Sequence, residues 1–565
     1  MFDVMHEKLI AKILSLGTAL TTILVVSGSV TDPVNTPKLV AIGVMGFAAV
    51  GVLMSSGVAN YLREFKLEVL LAALFLASML VAVFASSSPL TQNIYGSYGR
   101  NNGLVTYIFL LSIFLSALTL RNRSNFETVS RALLFAGVIN ISYCLWVIMF
   151  GDFIGWSNPY GNILGTLGNP NFIGSFLGIF FTAYLSFALR DSSSLIFKYS
   201  LLLVLPVTAF EIYKSHAIQG RVVAALGMGI MGFMWIKSRF GRLISGAYLS
   251  AFGFVGLLAL LGALQIGPFS KFIYKTSVSL RGQYWLAGWN TGDSHPLTGV
   301  GMDSFGDWYR RSRDIHAIEL PGVNVTVNAA HNVPMDMFAF GGWPLLITYV
   351  SIMGLAAFAA VRLVIRRKAF DPILAVLVTA WAGYQLQSII SINQIGLAVW
   401  GWLLSGCLIA YERSTRVENV ETSQPNRGQR KNSSNSMNNP KHILMGFLGT
   451  LVGLLIALPP LASDIKWRSA QLARTAQGIE ATMSASYFNP QNSARYLDNI
   501  QALEASQLFD LSHKYGLEAV KWNSESFELW KVLYLLRNST AEEKAVALEN
   551  MKRLDPLNPD VTSTQ

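Results

Sequence analysis

Apolar runs close to twenty residues long recur along the whole chain, and this repetition limits its possible folds more than any other feature. A helix rises about 1.5 Å per residue, so a run of that length crosses a hydrocarbon core of roughly 30 Å. Within such a core the backbone must satisfy its own hydrogen bonds, which selects helices. Candidate spans fall near 9–30, 39–59, 67–86, 104–120, 132–151, 172–189, 199–213, 222–236, 243–266, 342–361, 373–391 and 396–411, with a last one at 442–463. The expected fold is all-α, a polytopic membrane protein of about 12–13 transmembrane helices. Only 13% of the 565 residues are charged, about half the share of roughly 25% found in soluble domains.

The first run is too long for the apolar part of a signal peptide and no small-x-small cleavage site follows it, so it reads as a membrane helix. With the N-terminus cytoplasmic, twenty-two Lys and Arg fall in inner loops and four (Lys38, Arg100, Lys214 and Arg221) in the short outer ones. The positive-inside rule therefore fixes the orientation. It also removes nucleic acid as the partner for a net charge of +11, because these cations lie between apolar spans and not on one soluble face. Cys144 and Cys407 sit inside apolar runs and offer neither a disulfide framework nor a zinc site.

The expected organisation follows from that topology. Residues 1–411 form the polytopic membrane domain, with a large extracytoplasmic loop at 267–341. Residues 412–441, which include "SQPNRGQRKNSSNSMNNPK", read as a flexible cytoplasmic linker. A last span at 442–463 leads to a soluble extracytoplasmic helical domain at 464–565. In that tail, "SESFELWKVLYLLRNSTAEEKAVALENMKRLDPLNP" reads as two amphipathic helices, the second capped by Ser539 or Thr540 with Glu542 and Glu543 following, and stopped by "LDPLNP". It faintly resembles a tetratricopeptide-type hairpin, without the full repeat signature.

Charges are scarce inside the spans, where a transporter would place ionisable groups. The unusual polar residues lie in outer loops and at outer helix ends. In "GSYGRNNGL", Arg100 is a lipid-phosphate anchor or part of an anion site. In "GTLGNPNFIGS", Asn169, Pro170 and Asn171 form a turn in which Asn171 can cap the next helix. In "EIYKSHAIQGRVVAALG", Arg221 opens a helix, a costly place for a cation unless an anion lies nearby; the alternative is a snorkelling arginine.

The long loop carries Tyr284, Trp285, Trp289, Phe305, Trp308 and Tyr309, an interfacial belt or a sugar-stacking platform. Arg281 offers a planar fork suited to phosphate oxygens, whereas Arg310, Arg311 and Arg313 read as a solvated or lipid-facing surface. In "AHNVPMDMF", Asn332 fits an N-cap, Pro334 the first turn and Asp336 the positive end of the dipole. His331 then sits beside a helix N-terminus, which favours a neutral ring able to accept a proton.

Taken in order, "YGRNNGL", "GTLGNPNFIG", "QGRVVAALG", "LRGQYWLAGW…HPLTGVGMDSFGDWY" and "AHNVPMDMFAFGGWPLL" resemble the O-antigen ligase and polymerase family of bacterial membrane glycosyltransferases. The resemblance covers roughly residues 96–350, extended by hydropathy to about 411, and leaves the tail outside. Where that family usually has a Ser-Arg pair at the helix start, this chain has Gly220-Arg221.

The resemblance implies a lipid-carrier-dependent glycosyltransferase in the bacterial cytoplasmic membrane. Such an enzyme moves a glycan from undecaprenyl pyrophosphate to a glycan, lipid or protein acceptor at the outer face, without metal or other cofactor. The residues themselves are compatible with this: no Asp-x-Asp pair lies on the outer side, and Asp303 with Asp307 is a loose candidate for a cation. His331 would act as general base, with Arg221 and Arg281, and also Arg100, holding the pyrophosphate. Asn332, Asn169, Asn171 and Trp285 would support them. A polymerase and a protein O-oligosaccharyltransferase are the alternatives within the class. A transporter or flippase, and a non-catalytic scaffold, are the alternatives outside it.

Overall fold

A computed structural model describes residues 4–190, 193–421 and 440–563. These residues form helices and no strand. Eleven helices are long and apolar enough to cross a membrane. Two more complete the expected set. Leu104–Ala117 is short for a span, and Val4–Ile23 carries Glu7, Lys8 and Lys12 near its start.

The helix expected at 9–30 ends seven residues early, at Ile23. The reason is Lys38, whose buried ammonium donates to the carbonyls of Thr21, Thr22 and Leu24 at 2.8–2.9 Å and so closes that helix. Residues after it run irregularly to Asn35, where Asn35–Met54 begins. Most of the linker expected at 412–441 lies outside the described residues. Of its ends, 412–421 continue the helix Ile395–Glu421, and 440–441 open Pro440–Ala473.

Ile395–Glu421 runs through the centre of the bundle and is buried along its apolar length. Its Trp402 packs against Phe75, Tyr107, Phe114 and Tyr349 with ring centroids 5.6–6.3 Å apart, so three other helices meet on one indole. At the rim, Leu195–Lys214 and Arg242–Ala263 leave most of their apolar side chains exposed, as lipid-facing helices do.

The stretch expected as one long loop holds the helices Thr276–Ser294 and Phe305–Ser312, two shorter turns at Ser270–Ile273 and Ile318–Gly322, and the first turns of Val333–Arg366. That last helix is broken at Gly341 and Gly342. Gly342 adopts φ 63°, and a Cβ there would meet the Pro296 carbonyl oxygen at 2.2 Å, so "HPLTG" can dock into the break only because the residue is glycine. Trp343 donates its N–H to the same carbonyl at 2.8 Å. The double glycine thus ends the His331 segment and starts the apolar span.

Candidate active site

The chain turns sharply before Val333–Arg366. Asn332 caps the helix, accepting the Met335 N–H at 3.0 Å, and Pro334 occupies its first turn. Asp336, fully buried, reaches back to accept the Ala330 N–H at 2.8 Å. Between these two anchors His331 takes φ 56°, a left-handed conformation seldom adopted by side-chain-bearing residues. Its Nδ1 lies 3.2 Å from the Ala329 carbonyl. A carbonyl can only accept, so Nδ1 carries the proton and the Nε2 lone pair is left available.

Arg281 and Tyr284 lie one turn apart on Thr276–Ser294. The Tyr284 ring sits 5.2 Å from the imidazole and 6.1 Å from Tyr309. Burial lowers the His331 pKa to about 4; the Ala329 contact opposes this, and the charges of Arg100 and Arg281 add to it. The ring is therefore neutral at pH 7, chiefly by desolvation, with the two guanidinium groups adding to it. If it acts as a base, activity should persist below pH 6 and fall only as pH drops through about 4, where the ring protonates. A kcat/KM profile with its acid limb at the ordinary histidine value near 6.5 would contradict this.

Arg281 has no carboxylate partner among the described residues. One Nη1–H reaches the Ser277 carbonyl at 3.2 Å, and the buried Nε has no acceptor. Arg100 differs. It is buried, ion-paired with Asp303 at 3.5 Å and bonded to the Asn328 carbonyl and side chain. Asp303 also accepts the N–H groups of Ser97 at 2.8 Å and Asn102 at 3.2 Å, which folds "GSYGRNNGL" around its carboxylate. Asn101 and Asp303 share the left-handed backbone of His331, so uncommon conformations concentrate here.

Arg221 stands apart from this group. Exposed in the first turns of Ile218–Arg239, its guanidinium lies 5.8 Å from the centre of the Tyr213 ring. The glycine before it has a packing cause: a Cβ on Gly220 would meet the Gly174 carbonyl oxygen at 2.4 Å, where two helices cross. Asn169, and not Asn171, caps Pro170–Ala188. Its side chain accepts the Asn171 N–H at 2.9 Å, because Pro170 at the first helical position moves the cap two residues forward. Trp285 follows Tyr284 with its buried indole N–H unpartnered.

Arg310, Arg311 and Arg313 are not a solvated or lipid-facing surface. Arg310 and Arg313 converge on the fully buried Asp555 at 2.8 and 2.7 Å, and Arg310 also meets Glu528 at 2.7 Å. Arg311 pairs with Glu525 at 2.5 Å. One face of Phe305–Ser312 thus grips the C-terminal helices, while its Tyr309 faces Tyr284. Asp307 accepts from Gln92 at 2.9 Å and from Asn523 at 3.1 Å, joining the same parts. The tail comprises Ala476–Met483, Ser493–Ala505, Phe509–Trp522, Phe527–Leu535 and Ala541–Leu554, the last opened by a Thr540–Glu543 capping box. Read only as a helix stop, "LDPLNP" contains the Asp555 that anchors two arginines; a carboxylate beside a proline carries no local signal of that.

Among the described residues no cluster of three His, Cys, Asp or Glu side chains is placed to hold a metal. Residues 201–350 match the family model described as O-antigen ligase. That segment contains Arg221, Arg281 and His331 and excludes Arg100, Asn169 and the tail. No curated protein matches the chain.

Proposed function

We propose that the chain, whose residues 201–350 match the O-antigen ligase family model, is a membrane glycosyltransferase of the ligase or polymerase type that transfers a glycan from undecaprenyl pyrophosphate to an acceptor hydroxyl at the outer face of the cytoplasmic membrane, without a metal. The observation that carries this reading is the half-buried His331, its Nδ1 on the Ala329 carbonyl and its ring against Tyr284, one helical turn from a guanidinium, Arg281, that lacks a carboxylate partner among the described residues. A half-buried cation without a counter-ion, its Nε shielded from solvent, suits an anionic ligand. In the proposed step the bond between the sugar's anomeric carbon and the diphosphate oxygen breaks, and the electron pair leaves with the diphosphate. Arg281 holds that leaving group. The acceptor oxygen bonds to the anomeric carbon and its proton passes to His331 Nε2. Arg100, committed to Asp303 and Asn328, fixes the neighbouring loop and helps to keep the imidazole neutral.

Replacing Arg281 with Lys should lower kcat/KM about ten- to hundredfold, since a point charge cannot reproduce the planar fork and one charged hydrogen bond is worth roughly 1.5–3 kcal/mol. Wild-type rates in that variant would remove Arg281 from the diphosphate site. The deciding assay supplies purified enzyme with a polyprenyl-diphosphate glycan, each acceptor class and excess chelator. Growth of the acceptor by a single block indicates a ligase, and a ladder indicates a polymerase. A strict magnesium requirement would overturn metal-free transfer.

A further inference from the structure

The membrane face opposite His331 carries a second cluster of cations that glycan transfer does not use. Val333–Arg366 starts beside His331 and, past its break at Gly341 and Gly342, runs on to Arg366, with Arg367 and Lys368 just beyond its far end, roughly 36 Å from the break at 1.5 Å per residue. There they meet Arg123, which opens Arg123–Phe150, Arg190, just beyond Pro170–Ala188, and Arg239, which closes Ile218–Arg239. Two adjoining cavities result, of about 340 and 630 Å³, sharing Arg123, Ala369 and Phe370 as walls. The first holds Arg366, Arg367 and Lys368, the second Arg190 and Arg239.

The two acids of this lining are already engaged. Asp371 takes both arms of Arg123 at 2.8 and 3.0 Å, and Glu127 is paired with Arg131 and Arg190. Among the described residues Arg239, Arg367 and Lys368 have no carboxylate partner, and Arg367 Nε is buried without an acceptor. Ordinary inside-positive loops spread their charge into solvent. Here cations from four separate segments turn toward one concave space whose rim carries exposed Leu189 and Trp235, an apolar and an interfacial side chain.

We propose that this double cavity binds an anionic glycerophospholipid carrying two phosphodiesters, one phosphate against Arg367 and Lys368, the other against Arg239, with the acyl chains leaving past Leu189 and Trp235. Basic pockets between membrane helices recognise such headgroups.

The test uses the full-length protein in zwitterionic nanodiscs, with and without a tenth of diphosphatidylglycerol, read by native mass spectrometry and by thermal midpoint. The wild type should retain the two-phosphate lipid and gain stability from it. R239Q/R367Q/K368Q should retain about a hundredfold less, at roughly 1 kcal/mol per cation lost, with unchanged glycan transfer in the zwitterionic bilayer. The exposed K368Q alone should give an intermediate loss, which keeps the test decisive if the triple variant fails to fold. Inorganic pyrophosphate added to zwitterionic discs should not raise the midpoint. Equal lipid retention by wild type and K368Q, or stabilisation by pyrophosphate matching that by lipid, would overturn the lipid site.

Discussion

His331→Ala is expected to abolish glycan transfer while the protein still inserts and binds its lipid donor. General-base assistance is worth about 10²–10⁴ in rate, and among the described residues the ring packed against the imidazole is the Tyr284 phenol, whose pKa burial pushes up and Arg281 pulls down. The loss should appear in kcat with KM little changed, because in the proposed step the imidazole takes the acceptor proton and does not bind the diphosphate. Fold damage is a separate question with its own readout. Asn332 and Asp336 form the turn without the imidazole, so the variant should keep the wild-type melting profile. Measured single-turnover transfer within a few-fold of wild type would remove His331 from the chemistry.

Asp555→Asn should loosen Phe305–Ser312 from the C-terminal helices. Both oxygens of Asp555 are used, Oδ1 by Arg313 and Oδ2 by Arg310 and Asn558. The isosteric amide leaves two buried guanidinium groups without their shared counter-charge. Breaking a buried pair on one side costs about 3–5 kcal/mol. Hydrogen exchange in the peptide covering 305–313 should then accelerate by roughly two to four orders of magnitude, with the helices of the bundle unaffected. Glu525→Gln is the graded comparison, since Arg311 retains contacts with the Asp307 and Glu525 carbonyls. Wild-type exchange in the Asp555 variant would mean that the tail is not what holds this helix.

How much of this was legible in the sequence follows the range of the interactions. The spans, the Asn332 cap and the Thr540–Glu543 box rest on neighbours within a helical turn or on apolar length, and those signals are printed in the chain. His331 and Arg281 stood out because a ring at a helix start and a guanidinium in an aromatic loop are locally unusual. The partners of Arg100, Arg310 and Arg313 are 203, 245 and 242 residues away, and no periodicity connects such positions. The early end of the first helix has the same origin, since Lys38 lies beyond the turn it closes. The tail was read as a separate unit because its composition is soluble; its attachment depends on three arginines whose neighbours in sequence look like any exposed basic patch.

A polyprenyl-diphosphate analogue with a photoreactive group on its phosphate end would test the diphosphate site directly. Crosslinks mapped by peptide mass spectrometry should fall within 276–294 and 327–335 and disappear in Arg281→Ala, while a neutral polyprenol analogue should not label those peptides. Labelling confined to the Arg366–Lys368 face, or unchanged at 276–294 without Arg281, would contradict guanidinium-held transfer beside His331.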